Sequence, residues 1–147
     1  AVLRIFIRAM RTTLYRTSPG APHDAQLGAL TFIHRFGAAL NTHFHFHAVV
    51  LDGVFSRSDA GEVRFHEAAR LTPEHWAELQ YVLQRRVLRY FRRHGLLDEV
   101  DAHGMLSWQG SGGFSIDAKD RSGGTMSGRR LHGPRRMMRL RPSRMGP

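Results

Sequence analysis

Cysteine is absent from the 147 residues of this chain. Disulfides, zinc sites built from thiolates and cysteine nucleophiles are therefore excluded, and any bound metal must be held by histidine, aspartate, glutamate or glutamine. Long apolar runs are missing as well, since no segment approaches the roughly 20 residues that a membrane-spanning helix needs. No signal peptide is recognisable at the amino end. We expect a globular protein without a membrane span, located in the cytoplasm.

Lysine and acidic residues are scarce. Lys119 is the only lysine, and 22 basic residues face 12 acidic ones, which gives a formal charge of +10. This balance favours a polyanionic partner, most simply nucleic acid, because basic surfaces release condensed counterions when they bind phosphates. A membrane surface is the weaker alternative. Arginine suits bidentate contacts with phosphate, although a GC-rich coding sequence would produce the same excess of arginine.

Histidine alternates with phenylalanine from His43 to His47, and the apolar run from Ala48 to Leu51 follows directly. This pattern predicts a strand with three imidazoles on one face. Residues i and i+2 of a strand lie roughly 6.5–7 Å apart, so two such rings can turn onto one divalent cation. A metal site and a polar sheet face of hydrogen-bonded histidines are both compatible with the spacing.

Two helices are predicted before this strand, one over residues 2–15 and one over residues 27–40 that leads directly into it. Asp52-Gly53 is interpreted as a bulge within a longer strand. The segments Val54–Arg57 and Glu62–Phe65 then form an antiparallel hairpin around a turn that contains glycine. The sheet is therefore expected to be at least partly antiparallel.

A long helix is predicted from the N-cap residue Thr72 to about His94, where Gly95 can end it in a left-handed conformation. Basic residues crowd its last turns. They either form a solvated face that complements the carboxyl end of the helix dipole or contact DNA phosphates. The candidate DNA-binding residues are Arg85, Arg86, Arg89, Arg92 and Arg93.

Two further short strands are predicted at Met105–Trp108 and Gly113–Ala118. Beyond them the composition changes to arginine, glycine, methionine, proline and serine without a sustained period. We therefore expect an α+β core over residues 1–118, with a mainly antiparallel central sheet flanked by helices. Residues 119–147 are expected to form a disordered or frame-shifted tail.

A histidine pair on a strand can hold Mg²⁺ or Mn²⁺ against a phosphodiester, where the cation polarises the scissile group. A phosphotransferase of this kind also needs a nucleophile, such as a tyrosine hydroxyl. The chain has three tyrosines, and the periodicity places Tyr90 on a buried stripe. His34, on the helix predicted before the strand, is either a third ligand or a partly exposed helical histidine.

The run from Gly28 to Asn41, the triplet His45-Phe46-His47 and the segment from Val50 to Phe55 resemble a known family. They are similar to rolling-circle insertion-sequence transposases with a His-hydrophobic-His motif, the IS-ninety-one-like or common-region group. The resemblance covers roughly residues 1–118. It implies an HUH endonuclease, with a sheet-and-helix scaffold similar to the endonuclease domains of replication initiators and relaxases. It also implies cleavage and transfer of single-stranded DNA through a 5′-phosphotyrosine.

In this resemblance His45 and His47 match the metal-binding pair. His43 falls on a variable position, and His34 stands where the family has glutamine, so these two are secondary candidates for a third ligand. The family's cysteine-rich zinc module is absent, and no tyrosine follows Tyr90. We therefore expect a truncated, inactive copy. The alternative is a basic nucleic-acid-binding module without catalysis.

Overall fold

The computed structural model describes residues 1–36, 42–107, 114–121 and 135–142. These residues form an α+β arrangement of helices and antiparallel strands, which confirms the predicted fold class. No helix among them is long and apolar enough to cross a membrane. The helices are α1 (Val2–Thr17), α2 (Pro73–Arg93) and α3 (Glu99–Ser107), and the strands are β1 (Gln26–Phe36), β2 (Thr42–Arg57), β3 (Val63–Glu67), β4 (Phe114–Arg121) and β5 (Arg135–Pro142).

Strand β2 organises the sheet because it is 16 residues long and pairs with three other strands. Strand β1 lies antiparallel along one side of it. On its other side, β5 pairs with residues 46–51 and β3 pairs with residues 53–57. Strand β4 completes the order β1-β2-β5-β4. The predicted hairpin between Val54–Arg57 and Glu62–Phe65 corresponds to the β2–β3 pair and is confirmed.

The bulge predicted at Asp52-Gly53 lies where β2 changes partner. Leu27 pairs with Val54, whereas Ala29 pairs with Val50, so β2 advances four residues while β1 advances two. The irregularity therefore falls on β2, as predicted. At Gly53 a Cβ atom would lie only 2.2 Å from the backbone carbonyl oxygen of His66 in β3. Glycine is required there because any side chain would collide with the neighbouring backbone.

One face of the sheet carries the hydrophobic core. The alternation of β2 directs Ala48 and Val50 to this face, and both are buried. Helices α1 and α2 cover it with fully buried side chains, each of which contributes on the order of 2 kcal/mol through burial. The loop before β1 is held to α1 by the Arg11 side chain, which donates to the carbonyl oxygen of Ala25 at 2.7 Å. The helix residues in this cluster are Phe6, Ala9, Met10, Leu14, Leu79 and Leu83.

Helix α2 begins and ends as predicted. Thr72 precedes it in an extended conformation, and its backbone N–H donates to Nδ1 of His75 at 3.1 Å. The hydroxyl of Thr72 completes the capping box, so donors that the helix leaves unpaired at its start are satisfied. Gly95 follows the helix with a φ of +65°. This is the left-handed conformation expected of a glycine at a helix end.

The helix predicted over residues 27–40 is wrong: residues 26–36 form strand β1, and residues 37–41 lie outside the described part of the chain. Two side chains that the helical spacing would direct inward, Leu30 and Ile33, are 60% and 57% exposed. The sequence Thr31-Phe32-Ile33 is β-branched and aromatic, which suits a pleated surface. Pairing with β2 along its length decides in favour of the strand.

The strand predicted at Met105–Trp108 is also wrong, because α3 extends to Ser107; Trp108 lies outside the described residues. A side-chain cap starts this helix, since the backbone N–H of Asp101 donates to Oδ1 of Asp98 at 2.7 Å. The side chain of Gln84 in α2 donates to the carbonyl oxygen of Met105 at 2.9 Å. These tertiary and capping contacts outweigh the weak strand preference of the short segment Met105–Trp108.

The last described strands extend into the segment expected to be a tail. Strand β4 matches the prediction at Gly113–Ala118 and continues to Arg121. Strand β5 pairs with β4 on one side and β2 on the other. Residues 135–142 pair with the sheet, and the expectation of a disordered or frame-shifted tail over residues 119–147 stays a prediction. The division of the chain into two parts at residue 118 stays a prediction.

Replacement of Gly53 by alanine is expected to lower the free energy of unfolding by about 1–3 kcal/mol, because the new methyl group overlaps backbone. Urea unfolding followed by circular dichroism measures this change. Gly104→Ala is the matched control: nothing lies within 4 Å of a Cβ at that helical position. That substitution should instead stabilise by about 0.5–1 kcal/mol. Equal stability of Gly53→Ala and the unchanged protein would contradict the tight β2–β3 contact.

Candidate metal centre

Three histidines meet on strands β1 and β2. The register places His34 directly opposite His45, and directly opposite residues of an antiparallel pair project to the same face. His47 follows two residues later and therefore shares that face. One ring nitrogen from each of His34, His45 and His47 lies within 4.8 Å of the others. We call these three residues the histidine triad.

The three rings are nearly equidistant. Their centroids are 4.9 Å apart for His34 and His45, 4.6 Å for His34 and His47, and 5.0 Å for His45 and His47. Two nitrogens that each lie about 2.1 Å from one ion can be at most about 4.2 Å apart. Small rotations of the side chains therefore bring the nitrogens to coordination distance. His34 is exposed and can rotate more freely than the partly buried His45 and His47.

The donor set fits a divalent cation. Neutral imidazoles coordinate through nitrogen and add no charge, so an ion held by three of them keeps its full positive charge. Within the described residues, the group contains no carboxylate. Imidazole favours first-row transition ions over Mg²⁺, whose preferred oxygen ligands would have to come from water or substrate. The identity of the ion stays a prediction.

The triad combines residues from two predicted elements. His45 and His47 lie on the predicted strand, whereas the placement of His34 on a helix was wrong. The side chain of His43 is not among those that the structure describes, and its role as a third ligand stays a prediction. If Thr31-Phe32-Ile33 is interpreted as a strand, His34 becomes a candidate third ligand, because pairing of β1 with β2 places it opposite His45. The ligand roles of these histidines stay predictions.

The triad lies on the face of the sheet opposite the core. Ala48 and Val50, which alternate with the triad residues of β2, are buried beneath α1 and α2. On the triad's own face, Phe32 pairs with His47 and Leu30 pairs with Val49. These two apolar side chains of β1 are 50% and 60% exposed. The histidines thus lie beside an accessible apolar surface.

The three tyrosines are carried by the helices that cover the other face. Tyr15 lies on α1 and packs against the core. Tyr81 lies on α2 and is 55% exposed. Tyr90, also on α2, is half-buried, with its ring centroid 4.0 Å from that of His94. All three are therefore carried by helices that pack on the core face of the sheet, opposite the face of the triad.

The arginines of α2 are all exposed. Arg92 forms an ion pair with Glu99 of α3, with 2.9 Å between Nη1 and Oε1. Such an exposed pair contributes little to stability and leaves the guanidinium accessible to other anions. The structure thus provides a basic helical surface away from the triad. Its role in DNA binding stays a prediction. The arginines concerned are Arg85, Arg86, Arg89, Arg92 and Arg93.

Comparison with known proteins places the chain in a family. Searches of curated proteins and of solved structures each gave no significant match. A family model described as "Putative transposase" matches residues 28–130, a segment that includes the histidine triad, all of β2 and β1 from residue 28 onward. Because this match covers more than half of the sequence, the chain belongs to that transposase family.

Proposed function

We propose that this chain is the metal-binding and DNA-binding part of a transposase that cleaves and transfers single-stranded DNA in rolling-circle transposition, as in the IS-ninety-one-like group. The observation that supports this proposal best is the histidine triad on the β1–β2 pair, inside the segment matched by the transposase family. Histidine nitrogens on a rigid antiparallel pair are well suited to fix the position of an ion.

Each part of the triad's face has a role in this proposal. His34, His45 and His47 hold a divalent cation, Mg²⁺ or Mn²⁺. The ion supplies Lewis-acid polarisation of a phosphodiester oxygen when bound. Phe32 and Leu30, exposed on the same face, offer apolar contacts to the bases or sugars of a DNA strand that reaches the triad. The chain therefore orients the scissile phosphate.

The nucleophile is not supplied by the described face. Formation of a 5′-phosphotyrosine requires a tyrosine oxygen in line with the scissile phosphorus, within about 3–3.5 Å before attack. Tyr15, Tyr81 and Tyr90 lie on helices across the sheet from the triad. We infer that the chain by itself holds metal and DNA without cleaving the strand.

A basic nucleic-acid-binding module without any metal chemistry is the second candidate. The observation that favours it is the exposed arginine surface of α2, together with the formal charge of +10. Binding of this kind depends on phosphate neutralisation alone. It would be strongly sensitive to salt and indifferent to divalent ions and to the triad.

The first prediction for this function concerns the metal. His45→Ala/His47→Ala should abolish Mn²⁺ binding in isothermal titration calorimetry, and His34→Ala should weaken it at least about tenfold through loss of one ligand. His94→Ala removes an exposed histidine outside the triad and should leave the affinity unchanged. Circular dichroism verifies that each variant is folded. Unaltered Mn²⁺ affinity in the folded double variant would favour the module without metal chemistry.

The second prediction concerns cleavage. With Mn²⁺ present, a fluorescently labelled single strand should bind, and its affinity should fall with salt at a slope of about −0.7 per neutralised phosphate. No covalent protein–DNA adduct should appear on a denaturing gel. An adduct that disappears in Tyr15→Phe, Tyr81→Phe or Tyr90→Phe would overturn the conclusion that these tyrosines are separated from the triad.

A further inference from the structure

A concave groove lies between α2 and α3, away from the histidine triad. Its volume is about 210 Å³. The α2 wall presents Arg85, Arg89 and Arg92. The α3 wall presents Glu99, Ala102, His103 and Leu106. The groove thus sets three guanidinium groups against a wall that carries one carboxylate, one imidazole and two apolar side chains.

The helical period separates the arginines of α2 into two groups. At 100° per residue, Arg85, Arg89 and Arg92 fall within about 60° of one another, on the stripe that faces the groove. Arg86 and Arg93 lie roughly 80–100° from Arg85 and about 40–60° from Arg89 around the helix, on the side away from Arg92, and they do not line the groove. Helix α2 therefore carries arginines that line the groove and arginines that do not.

An aromatic ring continues the groove stripe. Tyr81 lies one turn before Arg85, and the Arg85 guanidinium carbon is 5.5 Å from the centroid of its ring. The ring is 55% exposed, so its outer part is available to a stacked base. From Arg85 to Arg92 the stripe rises about 10 Å, the length of roughly three nucleotides of a stacked strand. A line of guanidinium groups that starts at an exposed aromatic ring suits single-stranded nucleic acid.

The position of α3 is fixed by contacts that leave the groove open. Gln84 is buried beside the groove stripe and donates to the carbonyl oxygen of Met105 at 2.9 Å. Ala102, the small buried residue of α3, allows the two helices to approach closely. Glu99 projects from the start of α3 and pairs with Arg92. This carboxylate is already paired with one of the three guanidinium groups that a phosphate would contact.

We propose that the α2–α3 groove binds single-stranded DNA, with its phosphates on Arg85, Arg89 and Arg92 and a base against Leu106, and that Glu99 weakens this binding by competing for Arg92. Contact between a base and Leu106 requires an unpaired base, so this arrangement favours one strand over a duplex. The site extends the DNA-binding part of the proposed function. It is independent of the metal, because no triad residue lines it.

The test measures binding of fluorescent oligo-dT to the full chain in EDTA by anisotropy, which removes any contribution from divalent ions. Arg89→Gln/Arg92→Gln should weaken binding at least about tenfold more than Arg86→Gln/Arg93→Gln, which removes the same charge from the same helix. Equal losses of affinity in the two double variants would contradict binding in the groove but would be compatible with general DNA binding. Absence of binding by the unchanged chain would overturn both.

A second pair of variants tests the role of Glu99. Glu99→Gln should tighten oligo-dT binding by about two- to fivefold more than Glu78→Gln. The control breaks the exposed ion pair between Glu78 and Arg16, in which 2.7 Å separates Nη1 and Oε1. Identical gains in the two variants would show an effect of net charge only and contradict competition for Arg92.

The contact with Leu106 and the choice of ligand are tested in the same assay. Leu106→Ala should weaken binding about threefold or more, whereas Val100→Ala, on the same helix and 81% exposed, should not. Duplex DNA of equal length should compete at least about tenfold less well than the single strand. Equal competition by the duplex, or stronger competition by vesicles of anionic lipid, would overturn the assignment to single-stranded DNA.

Discussion

The antiparallel register between β1 and β2 is the constraint on which the rest of this structure depends. It places His34 opposite His45, and the pleat then brings His47 to the same face while Ala48 and Val50 turn into the core. A shift of the register by one residue would move every side chain of β1 to the other face. The same pairing therefore fixes the triad and the face of the sheet that the helices cover.

The two faces of the sheet differ in the side chains that they carry. The helical face consists of the apolar core, and beyond it lies the basic outer surface of α2. The other face carries imidazoles and the exposed side chains of β1. A DNA strand bound on the arginines and a phosphate held at the triad would contact opposite sides of one small protein. If both sites bind DNA as proposed, the α2–α3 groove and the triad would contact separate segments of DNA or separate strands.

Sequence patterns predicted the elements whose local signals agreed with their tertiary surroundings. Alternation at His43–His47 indicated β2, and Thr72, Pro73 and Gly95 marked the limits of α2. The prediction of a helix over residues 27–40 was wrong because the apolar residues of this segment fit both a helical repeat and a strand repeat. Leu30 and Ile33 satisfy a helical spacing, yet on β1 they project to opposite faces and both are exposed, so hydrophobicity did not distinguish a buried face from an exposed one. The third member of the triad was placed on the wrong element for this reason. Its approach to His45 depends on a pairing between strands, which no local pattern encodes.

The strand pairing also has a consequence for the order in which the protein assembles. All three triad histidines lie between residues 34 and 47, within a single pair of neighbouring strands, whereas β5 joins β2 from residues 135–142. Contacts between nearby residues close small loops and form quickly, while distant pairings are slower. During synthesis the segment that bears the triad emerges first and can pair before β5 exists. The triad therefore lies in the part of the sheet whose pairing is local in sequence, and this pairing does not require β5.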